Sequence, residues 1–220
     1  MVALPSRTRP GARGRRAPRP SGDDRELAIL ATAERLLGEH PLSAISVDDL
    51  ARGAGISRPT FYFYFRSKDD VLLTLLDRVI AEADRASGEA LATRTGDRRQ
   101  DWRNGIRAYV ETFRTHRGAA LAAAEARVTN AEVRAVWAGG VERWVRHCAE
   151  LIAGERERGV APPGPPARDL AIALTSMNER TLHGTFAGED QAIAEDDVVD
   201  VLLDIWLTAI YHTPEPPRSR

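Results

Sequence analysis

The chain predicts an all-α fold of about nine helices, and three observations carry that expectation. No segment of its 220 residues alternates apolar and polar side chains in the manner of a strand. Apolar residues recur instead every three or four positions, the period of a helix with one buried face. Breakers fall between those periodic stretches: a polar run at 93–99, and a PPGPP cluster at 162–166 whose prolines lack the N–H and clash with the preceding turn. Composition agrees, since a chain of this length at 43% hydrophobic can bury a core as one or two domains.

Residues 1–22 hold six arginines (Arg7, Arg9, Arg13, Arg15, Arg16, Arg19) and no acid, so a disordered, basic arm is expected there. The first helix is expected from Asp23 to Gly38, with Leu27, Leu30, Ala31 and Leu37 among its buried positions. Ser46 can cap a second helix running through Ala54, with Asp48 and Asp49 in the first turn where negative charge suits the helix dipole. Val47, Leu50, Ala51 and Ala54 form its apolar face, and Gly55 supplies the positive φ at which it stops. Ser57 caps a third helix, in whose opening turn Pro59 is tolerated. Ile56, Phe61 and Phe65 have the spacing to point inward, leaving Arg58, Thr60, Tyr62 and Tyr64 outward. Lys68 begins a fourth helix through Val71, Leu72, Leu75, Leu76 and Val79 to about Ser87, long enough to connect a head to a body.

Further helices are expected over 101–116, 118–127, 131–158, 168–186 and 195–211. The last is apolar nearly all round (Val198, Val199, Val201, Leu202, Leu203, Ile205, Trp206, Leu207, Ile210), so it needs cover on more than one side. A second subunit would supply it, with burial inside one chain as the alternative. The resulting division is an arm at 1–22, a head at 23–68, a body at 69–212 and a disordered tail at 213–220.

A helix, a glycine turn and a second helix is the layout that places a recognition helix in the DNA major groove, although the same shape also occurs as a plain packing unit. Arg58 can grip guanine, Thr60 a thymine methyl or phosphate, and the Tyr62 and Tyr64 hydroxyls phosphate oxygens. Lys68, at a helix N-terminus, can meet a phosphate. The charge is distributed to suit: residues 1–68 carry 12 basic and 7 acidic side chains, and the remainder 19 and 25, although the net charge is only −1. The arm could reach a neighbouring minor groove.

Catalysis is not expected. The histidines (His40, His116, His147, His183, His212) lack metal-ligand spacing, and no Walker loop, GxSxG or GxGxxG is present. His147 and Cys148 are adjacent, so on a helix they point about 100° apart. No cofactor or metal is implied. With one cysteine, no export signal at the N-terminus and no apolar run of about eighteen residues, a cytoplasmic protein without a membrane span is expected.

Two aromatic stripes occupy the body. Trp102, Tyr109 and Phe113 lie on one helix face, Trp137, Val141, Trp144 and Cys148 on another, and Trp206 adds a third large ring. Such stripes line either a plain core or a cavity, and spacing does not choose between them.

The stretch from Val47 to Leu73, above all its FYFYF-x-SK ending, closely resembles the DNA-binding signature of the TetR family of transcriptional repressors. PSGDDRELAILATAERLL, the Trp-rich middle, MNERTL and IWLTAIY extend the resemblance to one member over nearly the whole chain from Arg13. The resemblance implies a TetR-like fold, a homodimer through the last two helices, and a double-stranded palindromic operator. Recognition helices of such a dimer lie about one helical turn, roughly 34 Å, apart. It makes Ser46, Ser57, Arg58, Pro59, Thr60, Tyr62, Tyr64 and Lys68 the DNA-facing set. It also implies an apolar tunnel for a hydrophobic small-molecule effector, lined by Trp102, Gly105, Ile106, Tyr109, Phe113, Trp137, Trp144, Asn178 and Trp206. Asn178 would be the polar handle for an ester, amide or ketone oxygen. Val141, Cys148, Thr175 and His183 depart from the relative's side chains along that lining. A DNA-binding regulator of the same fold with no effector is the alternative.

Overall fold

The computed structural model describes residues 22–93 and 95–216. Among them run nine α-helices and a 3-10 turn, with no strand: α1 Gly22–Leu37, the turn Leu42–Ala44, α2 Val47–Gly53, α3 Arg58–Tyr64, α4 Lys68–Ala92, α5 Arg98–Thr115, α6 Arg117–Ala126, α7 Ala131–Glu157, α8 Ala167–Ala187 and α9 Val198–Tyr211. The six arginines of the expected arm lie outside the described residues. No described helix is long and apolar enough to cross a membrane.

Local chemistry sets most boundaries. Ser67 caps α4 by accepting from Asp70 N, and Asn130 caps α7 by accepting from Glu132 N and Val133 N. The polar run separates α4 from α5 as expected, and its last residues, Arg98 and Arg99, open α5 behind a cap. Asp97 accepts from Gln100 N at 3.2 Å, and Asp101 folds back on Thr95, accepting from its N at 2.8 Å and its Oγ1 at 2.7 Å. Helix α8 ends at Gly188, whose φ of +68° a side chain would resist. Before α9 the N–H groups of Asp197 and Val198 both donate to Ala194 O, so the chain turns there and the helix starts later than expected. At the other end Arg99 donates to the carbonyl of Pro214 at 2.7 Å, inside a segment expected to be disordered.

One expectation for α1 is overturned. Leu27 and Ala31 are exposed, and Ile29, Leu30, Ala33 and Leu37 face the core. The run LAILA offers two overlapping apolar stripes, and only packing against α4 and α6 selects between them.

The side chains form two cores. The first gathers Ile29, Leu50, Phe61, Phe65, Leu72 and Leu76 with Ala119, Ala122 and Ala123, so the head cluster continues up α4 and takes in one face of α6. The second holds Trp102, Trp144, Cys148, Trp206 and most of α9. Helix α9 buries Leu202, Leu203, Trp206, Leu207 and Ile210 within this chain, yet Val201 and Ile205 are 37% and 41% exposed, and Ile172 of α8 is 42% exposed. Both of the last two helices thus present large apolar side chains to solvent.

A buried polar network ties α5, α7 and α9 together at the far end of the body. Glu155, whose side chain is 4% exposed, accepts from Arg98 Nε at 2.8 Å and from the Tyr211 hydroxyl at 3.1 Å. Tyr211 in turn accepts from Trp102 Nε1 at 3.0 Å. Desolvation pushes the Glu155 carboxyl up, but hydrogen bonds from Arg158 and Arg98 outweigh it and hold the group below the usual glutamate value.

Candidate DNA-binding surface and internal cavity

The helix-turn-helix is built by its caps. Ser46 accepts from Asp49 N while the Asp49 carboxylate accepts from Ser46 N, a reciprocal box; bonds from the Ser46 hydroxyl and then its backbone N–H hold Asp49 below its ordinary value. Gly55 sits at φ +68°, and Ile56 N closes the turn onto Ala51 O at 3.0 Å. Ser57 accepts from Thr60 N at 3.3 Å, and the two hydroxyls lie 2.8 Å apart. Phe61 and Phe65 are buried beneath α3.

On the outward face, the Arg58 guanidinium donates to the Tyr62 hydroxyl at 3.4 Å and lies 3.3 Å from the Asp48 carboxylate. These contacts raise its pKa, and they hold the charge on the open side of α3. Thr60 and Tyr62 share that side. Phe63 does too, and at 83% exposure it is an open apolar ring in the middle of the face, met edge-on only by Tyr64 at 5.3 Å among the described rings. The inward spacing of Phe61 and Phe65 puts position 63 opposite, a signal present in the sequence but not used above.

Two members of the expected set turn inward. Tyr64 is half-buried against the head core. Lys68 donates to the carbonyls of Leu42, at 2.7 Å, and Ile45, at 2.9 Å, and reaches Ser43 O at 3.4 Å. Its three ammonium hydrogens are spent on pinning the turn before α2, which corrects the expectation of a phosphate contact. Ser46, Ser57 and Pro59 act as helix starts.

In the body a cavity of about 350 Å³, partly open to solvent, is lined by α4, α5, α6, α7 and α8. Seven of the thirteen residues expected along the lining border it: Tyr109, Phe113, Trp137, Val141, Trp144, Thr175 and His183. Tyr109 stacks on Trp144 at 5.2 Å, and burial pushes its phenol pKa up. The other six do not border it. Trp102 and Trp206 meet ring to ring at 5.4 Å, and Trp206 Nε1 donates to Asn178 Oδ1 at 3.0 Å, which engages the acceptor of the expected handle but not its amide donor. Ile106 and Cys148 are core, the latter with its thiol pushed up by burial. A Cβ on Gly105 would come within 2.5 Å of the Leu91 side chain. Two indoles and their hydrogen bonds fill that end of the body.

Residues the sequence reading missed complete the wall: Ile80, Ala83 and Asp84 of α4, Ala120, Leu121 and Ala124 of α6, and Ser176, Glu179, Arg180 and Phe186 of α8, beside His183. Its charges are paired. Arg127 lies 2.6 Å from Glu179 and over the Trp137 ring at 4.5 Å, Asp84 holds Arg143 at 2.9 Å, and Arg180 holds Glu189. Two polar atoms of residues that border the cavity, Trp144 Nε1 and Thr175 Oγ1, have no partner among the described residues and are themselves covered by neighbouring side chains. Helix α6 serves both compartments: Ala120, Leu121 and Ala124 face the cavity while Ala119, Ala122 and Ala123 face the head core.

Comparisons with known proteins fit this geometry. The model of bacterial regulatory proteins of the tetR family matches residues 29–75, and that of the transcriptional regulator EthR, C-terminal domain, matches residues 102–212. The HTH-type transcriptional regulator EthR of Mycobacterium tuberculosis is 55% identical over 201 residues, covering 90% of this chain and 93% of that protein. Its namesake from Mycolicibacterium smegmatis is 49% identical, covering 91% and 93%. A transcriptional regulator from Saccharomonospora viridis, crystallised in complex with choline, superposes with a TM-score of 0.72 at 23% identity, covering 83% of this chain and 95% of that one. With head and body matched in order, the chain belongs to the TetR family of helix-turn-helix transcriptional regulators and carries an EthR-type C-terminal domain.

Proposed function

We propose that this regulator is a dimeric repressor whose grip on a palindromic operator is released by a neutral, largely apolar small molecule bearing a hydrogen-bond acceptor. The observation that carries the reading is the cavity wall, in which two buried polar atoms are unpaired while the charged groups already have partners. Trp144 Nε1 and Thr175 Oγ1 can both donate, so a carbonyl oxygen that displaces the side chains covering them would relieve a desolvation cost of about 1–3 kcal/mol per group. A charged head group would have to break an ion pair first. For that reason a cation such as the choline bound by the Saccharomonospora viridis protein is not favoured here.

Arg58, Thr60, Tyr62 and Phe63 form the reading face, and the basic arm adds phosphate contacts. The exposed side chains of Ile172, Val201 and Ile205 support a twofold seam across α8 and α9. The shared helix α6 gives the cavity a route to the head. To drive a head equilibrium from 1:99 to 99:1, an effector must prefer one state by about 10⁴-fold.

The test is a footprint on DNA flanking the protein's own gene, with and without 2-undecanone, beside sedimentation of the free protein. A protected palindrome lost on adding the ketone is the expected result. Protection that ignores 2-undecanone and a panel of neutral esters favours a regulator without an effector, and a monomer in sedimentation refutes the dimer.

A further inference from the structure

We propose that His116 is the latch that passes the filling of the cavity on to the DNA-binding head, an inference that rests on the effector reading above. His116 stands at the corner between α5 and α6, three residues after Phe113 and four before Ala120, both of which border the cavity. From that corner its ring touches two further helices. Nδ1 hydrogen-bonds the Glu34 carboxylate of α1, inside the head, and Nε2 lies 3.4 Å from the Glu82 carboxylate of α4, beside the cavity residues Ala83 and Asp84. One side chain therefore joins four helices: the two that carry it, the head's first helix, and the connector.

The contact has no slack. Two residues on, a Cβ at Gly118 would fall 2.5 Å from the Leu37 carbonyl and 2.7 Å from Gly38 N, so backbone meets backbone where α6 begins and α1 ends. The His116 side chain is 17% exposed, which shields the bridge from water more than a surface ion pair. When a ligand displaces Phe113 or Ala120, the corner moves. Either α1 follows through Glu34, or the ring gives up one carboxylate. In both cases the head's orientation on α4 changes. His116 is thus a positioning residue, acting on DNA only through the head.

The test uses the full-length protein, 2-undecanone as probe, and DNA flanking its own gene. The quantity read is the ratio of DNA Kd with and without saturating ketone. His116→Gln keeps a hydrogen-bonding side chain but cannot span both carboxylates, and Glu34→Gln cuts the head end alone. In both variants the ratio should fall to within about twofold of one, from the 5- to 150-fold range usual for coupled sites. Ketone affinity, read from indole fluorescence, should stay within about twofold of wild type. Folded variants that keep the wild-type ratio, or lose ketone affinity in parallel, overturn the latch. A wild type that binds the ketone without releasing DNA instead overturns the effector reading.

A second measurement needs no ligand. Spin labels at Arg52→Cys and Glu150→Cys, both exposed, report the distance from head to body, with Cys148 too buried to react. The distance distribution should broaden in His116→Gln. An unchanged distribution means the junction is held elsewhere, and the latch fails.

Discussion

Thr175→Val separates a waiting ligand site from an ordinary core position, because the two predict opposite signs. The residue is 3% exposed, and its hydroxyl finds no partner among the described residues. A buried polar group left unpaired costs about 1–3 kcal/mol, whereas valine has nearly the same shape and no group to satisfy. The variant without ligand should therefore be more stable, by about 1 kcal/mol, which for a chain of this size raises Tm by about 2–4 °C. The same change should weaken 2-undecanone by about 1 kcal/mol, or fivefold, since one hydrogen bond to its oxygen is lost. Undecane, which has no acceptor, should bind both proteins alike. The assay is a thermal unfolding series with each compound, followed by indole fluorescence titration. A lower Tm in the variant, together with an undiminished preference for the ketone, would refute the assignment of the unpaired hydroxyl to the ligand.

Three other outcomes follow from the same geometry. Lys68→Met should lower the unfolding free energy by about 2 kcal/mol, because charge-assisted bonds to backbone carbonyls are lost. Unchanged stability with a log-affinity versus log-salt slope shallower by about 0.9 would return Lys68 to the phosphate backbone. Phe63→Ala should leave stability within about 0.5 kcal/mol, as for other exposed sites, yet weaken operator binding about tenfold or more; equal loss on random DNA would remove Phe63 from the reading face. Glu155→Gln should cost about 3 kcal/mol or more, because the buried carboxylate charge to which Arg98, Arg158 and Tyr211 all donate is lost, and denaturant melts will read it. Because the folded-state pKa of Glu155 is lowered, its contribution is present above about pH 4.3 and is lost as pH falls through the folded value. The variant and wild type should therefore converge in acid, and a gap that widens there would contradict the sign.

The fold was legible because its punctuation is local. Ser46, Gly55, Ser57 and the PPGPP run act within a few residues of themselves, so caps and breaks can be read before any packing is known. What escaped was set across the chain. The ammonium of Lys68 finds carbonyls 23 and 26 residues earlier, and the indole of Trp206 finds an amide 28 residues away. A resemblance carries positions, not vacancies, so it marked Trp102, Asn178 and Trp206 as lining although here their rings and bonds fill the space. The alanines of α6 carry no aromatic signal, and nothing short of the packed body reveals that they border the cavity. Leu27 and Ala31 failed for a plainer reason, since an uninterrupted apolar run gives a period without a phase.

The composition of α6 has a mechanical consequence. Alanine has no χ angle to turn, so a force applied at Ala120 or Ala124 cannot be absorbed by a side chain swinging into another well. The helix must translate or tilt as a rod, and Ala119, Ala122 and Ala123 on its opposite side go with it. Replacing these small residues by flexible methionines would fit a damper into a piston: stability could survive while the stroke is lost.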